Sequence, residues 1–329
     1  MTSTTLAGIS RNVSDLRRSV AFYLERLGFR TSGPVLTMDA ALVDLLGYAG
    51  RTPKTQRLKF GEEELELVEA GANARPYPAD STSADLWFQH FAIRCVDIDV
   101  AYRRLYRKDS TSPAPIAISR CAGGATGPVS LPSRSGGAIA FKFRDPDGHP
   151  VELLQLPRPT RDRHVLPEGI DHSAISVADA QRSIAFYTTV LGMTVVNQQR
   201  NDGSEQCMLD DLEDDEVDVV ALQPSGKAAP HIELLAYRSP VGRSLKTPSM
   251  AHDIASDRLV LEVADIDALV NSLASSPRIV CNRASVPVAL LPDLDGHLLL
   301  LVGRAGHQPC VTMPKQHANV RHRTDAGRK

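Results

Sequence analysis

Two stretches of this chain are copies of one another, and that duplication limits the folds open to it more than any other feature. Residues 7–29 read AGISRNVSDLRRSVAFYLERLGF and residues 171–193 read DHSAISVADAQRSIAFYTTVLGM. With Asp15 set on Asp179, Val13 falls on Val177, Phe22-Tyr23 on Phe186-Tyr187 and Gly28 on Gly192, without a gap. A weaker pair follows: HFAIRCVDIDVAYRRL (90–105) with RLVLEVADIDALVNSL (258–273), and RDPDGHPVELLQL (144–156) with PDLDGHLLLLVGR (292–304). The chain is a tandem duplication with a period of roughly 160 residues, and each copy contains two related halves. Four modules result.

The modules begin alike. His172 to Val177 alternates with period 2, as a half-buried strand does. Asp179 is placed to cap a helix, because its carboxylate can accept from amides of the first turn. Ile184, Tyr187 and Leu191 then share one helical stripe, and Gly192 ends it. Asp15, Val20, Tyr23, Leu27 and Gly28 repeat the pattern. Short strands are expected at 58–70, 138–144, 151–156, 217–223, 231–237 and 298–303, with hairpin turns at the Asp-Gly pairs 147–148 and 295–296. The predicted class is α+β, four tandem βαβββ modules forming two domains. The first domain covers 1–157, a Pro- and Arg-rich linker 158–168, and the second domain 169–304. The aperiodic, basic stretch 305–329, with His317, Arg321 and His322, reads as a disordered tail.

Charge narrows the partners. Lys plus Arg number 37 against 39 Asp plus Glu, a net charge of −2, which excludes a nucleic-acid binder relying on a global positive field. No apolar run approaches the roughly 18 residues of a membrane span. The opening MTSTTLAGISRNVSD lacks a basic segment followed by an apolar one, so no membrane partner is expected and the cytoplasm is the expected compartment. Five scattered cysteines without a C-x-x-C pair predict isolated thiols, not a disulfide framework or a zinc–cysteine site.

Four βαβββ units, the S-x-A-F-Y segment followed by L-G, and FKFRDPDGHPVELL resemble the vicinal oxygen chelate superfamily. Its members include glyoxalase I, extradiol dioxygenases, methylmalonyl-CoA epimerase and the fosfomycin and bleomycin resistance proteins. The resemblance spans about residues 5–303. It implies curved mixed sheets enclosing clefts, with each module able to offer one ligand from its first strand and one from its last. The first-strand places, seven residues before each helix-initiating Asp, hold Gly8, His90, His172 and Arg258; the last-strand places hold Glu66, Glu152, Glu233 and Leu300. If consecutive modules pair, one cleft gathers Glu66, His90 and Glu152, and the other holds His172 and Glu233 beside Arg258 and Leu300. If the second pairs with the third, one cleft gathers His90, Glu152, His172 and Glu233. The other then keeps Gly8, Glu66, Arg258 and Leu300. This crossed arrangement is preferred because it confines the losses, at Gly8, Arg258 and Leu300, to one cleft.

Two imidazoles and two carboxylates suit a divalent first-row ion (Fe, Ni, Zn, Mn or Co) and leave two octahedral positions open. The resemblance then implies a glyoxalase I-like lyase or isomerase acting on a small substrate with two neighbouring oxygens, with Glu152 or Glu233 moving the proton. His231, two residues before Glu233 and on the same strand face, is a second candidate base. An extradiol ring-cleaving dioxygenase and a metal-free binding protein of the bleomycin-resistance kind are the alternatives, and both monomer and homodimer remain open. His149 and His297 are expected as turn residues, Arg258 in a surface salt bridge, Glu62 to Glu64 as a solvated edge, and 107–137 and 195–216 as pocket-shaping loops. Trp87, Phe88, Phe141 and Phe143 fit either cleft or core.

Overall fold

The computed structural model describes residues 3–48, 50–71, 73–157, 168–226, 229–245, 249–275 and 277–304; most of the expected linker and all of the expected tail lie outside them. The first module runs β1 (Thr4–Val13), α1 (Leu16–Phe22), β2 (Arg30–Thr31), β3 (Leu36–Thr37), α2 (Ala40–Leu45), β4 (Lys54–Phe60) and β5 (Glu63–Glu69). The second runs β6 (Gln89–Arg94), α3 (Ile98–Leu105), β7 (Ile116–Ala117), β8 (Val129–Ser130), β9 (Ile139–Arg144) and β10 (Pro150–Gln155). The third runs β11 (Gly169–Ser176), α4 (Ala180–Thr189), β12 (Thr194–Asp202), α5 (Ser204–Asp210), β13 (Glu216–Gln223) and β14 (His231–Ser239). The fourth runs β15 (Arg258–Val263), α6 (Ile266–Ser272), β16 (Ile279–Cys281), β17 (Pro287–Pro292) and β18 (Leu298–Gly303). The stretch 195–216, expected as a loop, forms most of β12 and all of α5.

The repeat is physical as well as textual. Asp15, Asp97, Asp179 and Asp265 each accept from the backbone N–H three residues on, the geometry of a helix N-cap, worth about 1 kcal/mol apiece. Gly28 takes φ 90° and Gly192 φ 67°, so both turn the chain out of the helix where a side chain would be strained.

Strand pairing crosses the halves. One sheet runs β16-β17-β18-β15-β1-β5-β4-β2, joining the fourth module to the first; the other runs β12-β13-β14-β11-β6-β10-β9-β7, joining the third to the second. Each seam is an antiparallel pair of first strands, β1 with β15 and β6 with β11. Between the sheets one apolar cluster takes Ile9, Leu65, Phe91, Leu153, Ile175 and Leu261 from the strands with Phe22, Ile98, Tyr187 and Leu269 from the helices.

Within each half, consecutive modules are tied by polar contacts. The Tyr23 hydroxyl donates to Asp145 at 2.7 Å and that of Tyr187 to Asp293 at 3.0 Å. His149 and His297 sit at the D-x-D-G-H turns, yet they are buried. Their Nε2–H groups donate to the carbonyls of Asn12 (2.7 Å) and Ser176 (2.9 Å). These histidines are clamps between modules.

One buried ion network joins the two halves. Arg11 is fully buried: it donates to Asp257 and to the Tyr23 hydroxyl (2.8 Å), lies 3.5 Å from Asp145, and stacks 4.8 Å over the Phe91 ring. Breaking a buried pair strands its partners without water. Arg11→Met should therefore cost about 3–5 kcal/mol in urea denaturation. Arg107→Ala, which removes an exposed pair with Asp109, should cost under about 1 kcal/mol.

Candidate functional site

Alternation along β6 sends Phe91 and Ile93 into the core and leaves His90, Ala92 and Arg94 for the opposite, concave face. Register then brings the rest together. Ala92 faces His172 on β11 and Glu152 on β10, and His172 faces His231 on β14. One rung of the sheet thus reads His231, His172, Ala92, Glu152. The next reads Glu233, Ala174, His90. Ala92 and Ala174, both fully buried, keep the middle of the two rungs low, so that the longer side chains converge above them.

The seam contains one extra residue. Between Ile170 and His172 the register of β11 shifts, so Asp171 is a bulge residue, and it faces the cleft together with its neighbour. Its carboxylate lies 3.2 Å from His172 Nδ1 and accepts from Arg94 at 2.7 Å. With Nδ1 engaged there, His172 turns Nε2 toward the carboxylates.

The donor atoms are close. His90 Nε2 lies 2.8 Å from Glu152 Oε2, His172 Nε2 lies 4.0 Å from that same oxygen and 3.6 Å from Glu233 Oε2, and His231 Nε2 lies 3.3 Å from Glu233 Oε1. His90, Glu152 and His172 are all buried and form one group able to share an ion; Asp171, His172 and His231 form an overlapping second group. Burial alone would push His172 down, but Glu233, Asp171 and Glu152 hold it up at about 9. Burial would raise Glu233, yet His172 and His231 bring it down to about 2. His90 is pushed down by burial, against the pull of Glu152. The cluster is one charged unit inside a cavity of about 660 Å³.

The other cleft is built alike and filled differently. Its seam has the same bulge, at Ala7, and Gly8, Glu66, Arg258 and Leu300 occupy the corresponding places. Glu66 stands on β5 in this sheet, so the trio Glu66, His90 and Glu152 is divided between two sheets. Arg258 is not in a surface salt bridge: it is fully buried and donates to Ser10 (3.0 Å), Asn12 (2.8 Å) and the Ala251 carbonyl (2.7 Å). Glu63 also departs from its expected solvated role, accepting from the Ile170 amide at 3.1 Å and lining the first cleft. Phe88, Phe141 and Phe143 are buried, Phe141 and Phe143 in the main core, while Trp87 lines a separate cavity of about 580 Å³.

Comparison with known proteins agrees with this architecture. The sequence model of the Glyoxalase/Bleomycin resistance protein/Dioxygenase superfamily matches residues 5–153 and 169–278. A lactoylglutathione lyase of Arabidopsis thaliana is 26% identical over 187 residues, so the match spans 56% of this chain and about half (54%) of that curated relative. The crystal structure of glyoxalase I from Zea mays superposes with a TM-score of 0.58 at 20% identity, covering 92% of this chain and 93% of that one, which establishes the shared fold.

A second polar cluster, unforeseen from sequence, closes one end of the cavity. Asp210, at the end of α5, accepts from Lys142 on β9, from Gln206 (2.7 Å) and from the Tyr237 hydroxyl (3.0 Å). Beside it Asp215 is buried, and burial together with Asp210 pushes its carboxyl up to about 9. The only sequence signal was the polar spacing of 197, 199 and 201, which marks a strand without an apolar face. Asp215 holds a proton in the folded state that it loses near pH 4 when unfolded. Its contribution to stability is therefore complete below about pH 4 and disappears as pH rises through 9. Asp215→Asn, which keeps a donor toward Asp210, should flatten the fall in stability between pH 7 and 9 measured by urea titration.

Proposed function

Because the chain belongs to the glyoxalase/bleomycin resistance protein/dioxygenase superfamily, we propose that the cleft of the second sheet is a metal-dependent active site of glyoxalase I character. In it a proton moves between the two oxygen-bearing carbons of a small substrate. The observation that carries this reading is convergence. Three buried donors from adjacent strands, His172 on β11, His90 on β6 and Glu152 on β10, lie close enough to share one ion, and Glu233 on β14 reaches within 3.6 Å of His172.

The donor set fits a divalent ion. Ligands about 2.1 Å from a common centre stand roughly 3 Å apart when adjacent and roughly 4 Å when opposed; here His90–Glu152, His172–Glu233 and His172–Glu152 stand 2.8, 3.6 and 4.0 Å apart. His90, His172, Glu152 and Glu233 are the residues that would hold it, two nitrogens and two oxygens of the kind such ions prefer. A bound ion would supply Lewis acidity to two neighbouring substrate oxygens.

The protein's own groups divide the remaining work. Asp171 fixes the tautomer and orientation of His172. Glu152 is pinned by His90 and is 7% exposed, whereas Glu233 is 22% exposed and has His231 against its second oxygen. Glu233 is thus the carboxylate free to swing, take the proton from one carbon and return it to the next, with His231 steadying it. Leu131, Leu154, Leu209 and Val219 line the cavity and keep water from the exchanging proton.

Two measurements test the reading. Metal analysis of purified protein should find bound ion in the parent and in Glu66→Ala, and little in His90→Ala or His172→Ala. The reverse pattern, with His172→Ala loaded and Glu66→Ala empty, overturns it. Conversion of methylglyoxal and a thiol to the lactoyl thioester should fall about 10²- to 10⁴-fold in Glu233→Gln, the usual loss for a general base.

A further inference from the structure

Below the ligand rungs, the wall of the same cavity changes character. Asn197, Gln199 and Asn201 take alternate places on β12 and line the cleft. Asn197 faces Ala221, which faces Glu233, so the column of amides starts on the rung of Glu233 and His90. Asn201 faces Val217, which faces Tyr237, so it ends about 13 Å further along the strand, at the closed end. Burial deepens along it: Asn197 is exposed, Gln199 half-buried and Asn201 buried. There α5, packed against β12, β8 and β9, forms the floor and supplies Gln206.

This end is built with open hydrogen bonds. Gln206 commits its Nε2 to Asp210, so its Oε1 must point the other way, and that oxygen is buried with no donor. Asn201 Oδ1 is likewise buried with no donor. Leaving a buried acceptor unmet costs about 1–3 kcal/mol, so two of them on one cavity wall imply a partner that brings O–H or N–H groups. Lys142 spends one N–H on Asp210; an ammonium has three donors, which leaves others for a ligand oxygen. Asp210 is satisfied by Lys142, Gln206 and Tyr237, so it holds the other groups in place.

We propose that this end of the cleft is a subsite for hydroxyl groups of a neutral, polyhydroxylated carbonyl substrate, with Gln206 and Asn201 accepting and Lys142 donating. The proposal rests on the reading of the preceding section, since the carbonyl head would sit at the ligand rungs. A hydroxyl matches the site because it gives one hydrogen bond and takes another. Negative charge does not match it. The lysine and arginine among the described lining residues are already paired, Arg94 with Asp171 and Lys142 with Asp210, and Glu63, Glu152 and Glu233 add carboxylates to the same walls.

Calorimetric titration with three probes tests this: L-erythrulose, hydroxyacetone (the same hydroxyketone head without the hydroxylated tail) and S-hexylglutathione, a peptide with two carboxylates. Erythrulose should bind at least tenfold tighter than hydroxyacetone, and tighter than S-hexylglutathione. Asn201→Ala and Gln206→Leu should each lower the erythrulose-to-hydroxyacetone ratio three- to tenfold, with melting curves recorded to show that both variants fold. Equal binding of the two ketones, or a ratio untouched by both variants, overturns the subsite. So does tightest binding of S-hexylglutathione. Metal content measured on the same samples separates the two readings: metal retained with a flat ratio defeats the subsite alone, and no metal with the ratio intact defeats the metal site alone.

Discussion

Where β6 meets β11, two remote parts of the chain become one sheet, and a single extra residue in that seam sets the geometry of the cleft. Side chains of a strand alternate between faces, so a slip of one residue would send His172 into the core and Ile175 into the cavity. The apolar partners of Phe91, Ile93 and Ile175 forbid the slip. The bulge at Asp171 then does what regular pleating cannot: it puts two consecutive polar residues on one side. His172 gains from it a carboxylate that fixes the ring, and Arg94 gains a partner for its charge.

The two clefts show what the same backbone does with different side chains. In the first-and-fourth-module sheet the guanidinium of Arg258 is met by Ser10, Asn12 and a backbone carbonyl, and Glu66 accepts from Ser10. A buried charge is tolerated only with such company. In the second-and-third-module sheet, His90 Nδ1, Asn201 Oδ1 and Gln206 Oε1 are all buried without partners. Unmet polar groups in a folded protein are costly enough to need a reason, and a ligand-accepting cavity is the simplest one.

Much of this was legible in the residues, and the parts that were not share a cause. The duplication, the four capping aspartates and the turn glycines follow from pattern, because caps and alternation are local, and the resemblance to the superfamily then singled out His90, His172, Glu152 and Glu233. Asp171 was silent because a bulge breaks the period of 2 by which strands are recognised. The stretch 195–202 read as loop because β12 has no apolar face: one side looks into the cavity and the other into solvent. Arg258 read as a surface ion pair, and His149 and His297 as turn residues only, because sequence shows a polar residue but not the carbonyls that meet it. Those carbonyls come from Ala251, Asn12 and Ser176, which only the tertiary fold brings near.

The chain is interlocked in a way that binds the site to the whole. Tyr23 with Asp145 and His149 with Asn12 hold the first half together; Tyr187 with Asp293 and His297 with Ser176 hold the second. The sheets, in contrast, join the halves to each other. Neither half can adopt its strands fully without the other, because each seam needs one first strand from each. The ligand set inherits that dependence, with His90 and Glu152 from one half and His172 and Glu233 from the other. An ion at the seam would bind only the chain in which both halves are folded, so its binding free energy would add to the stability of the entire molecule.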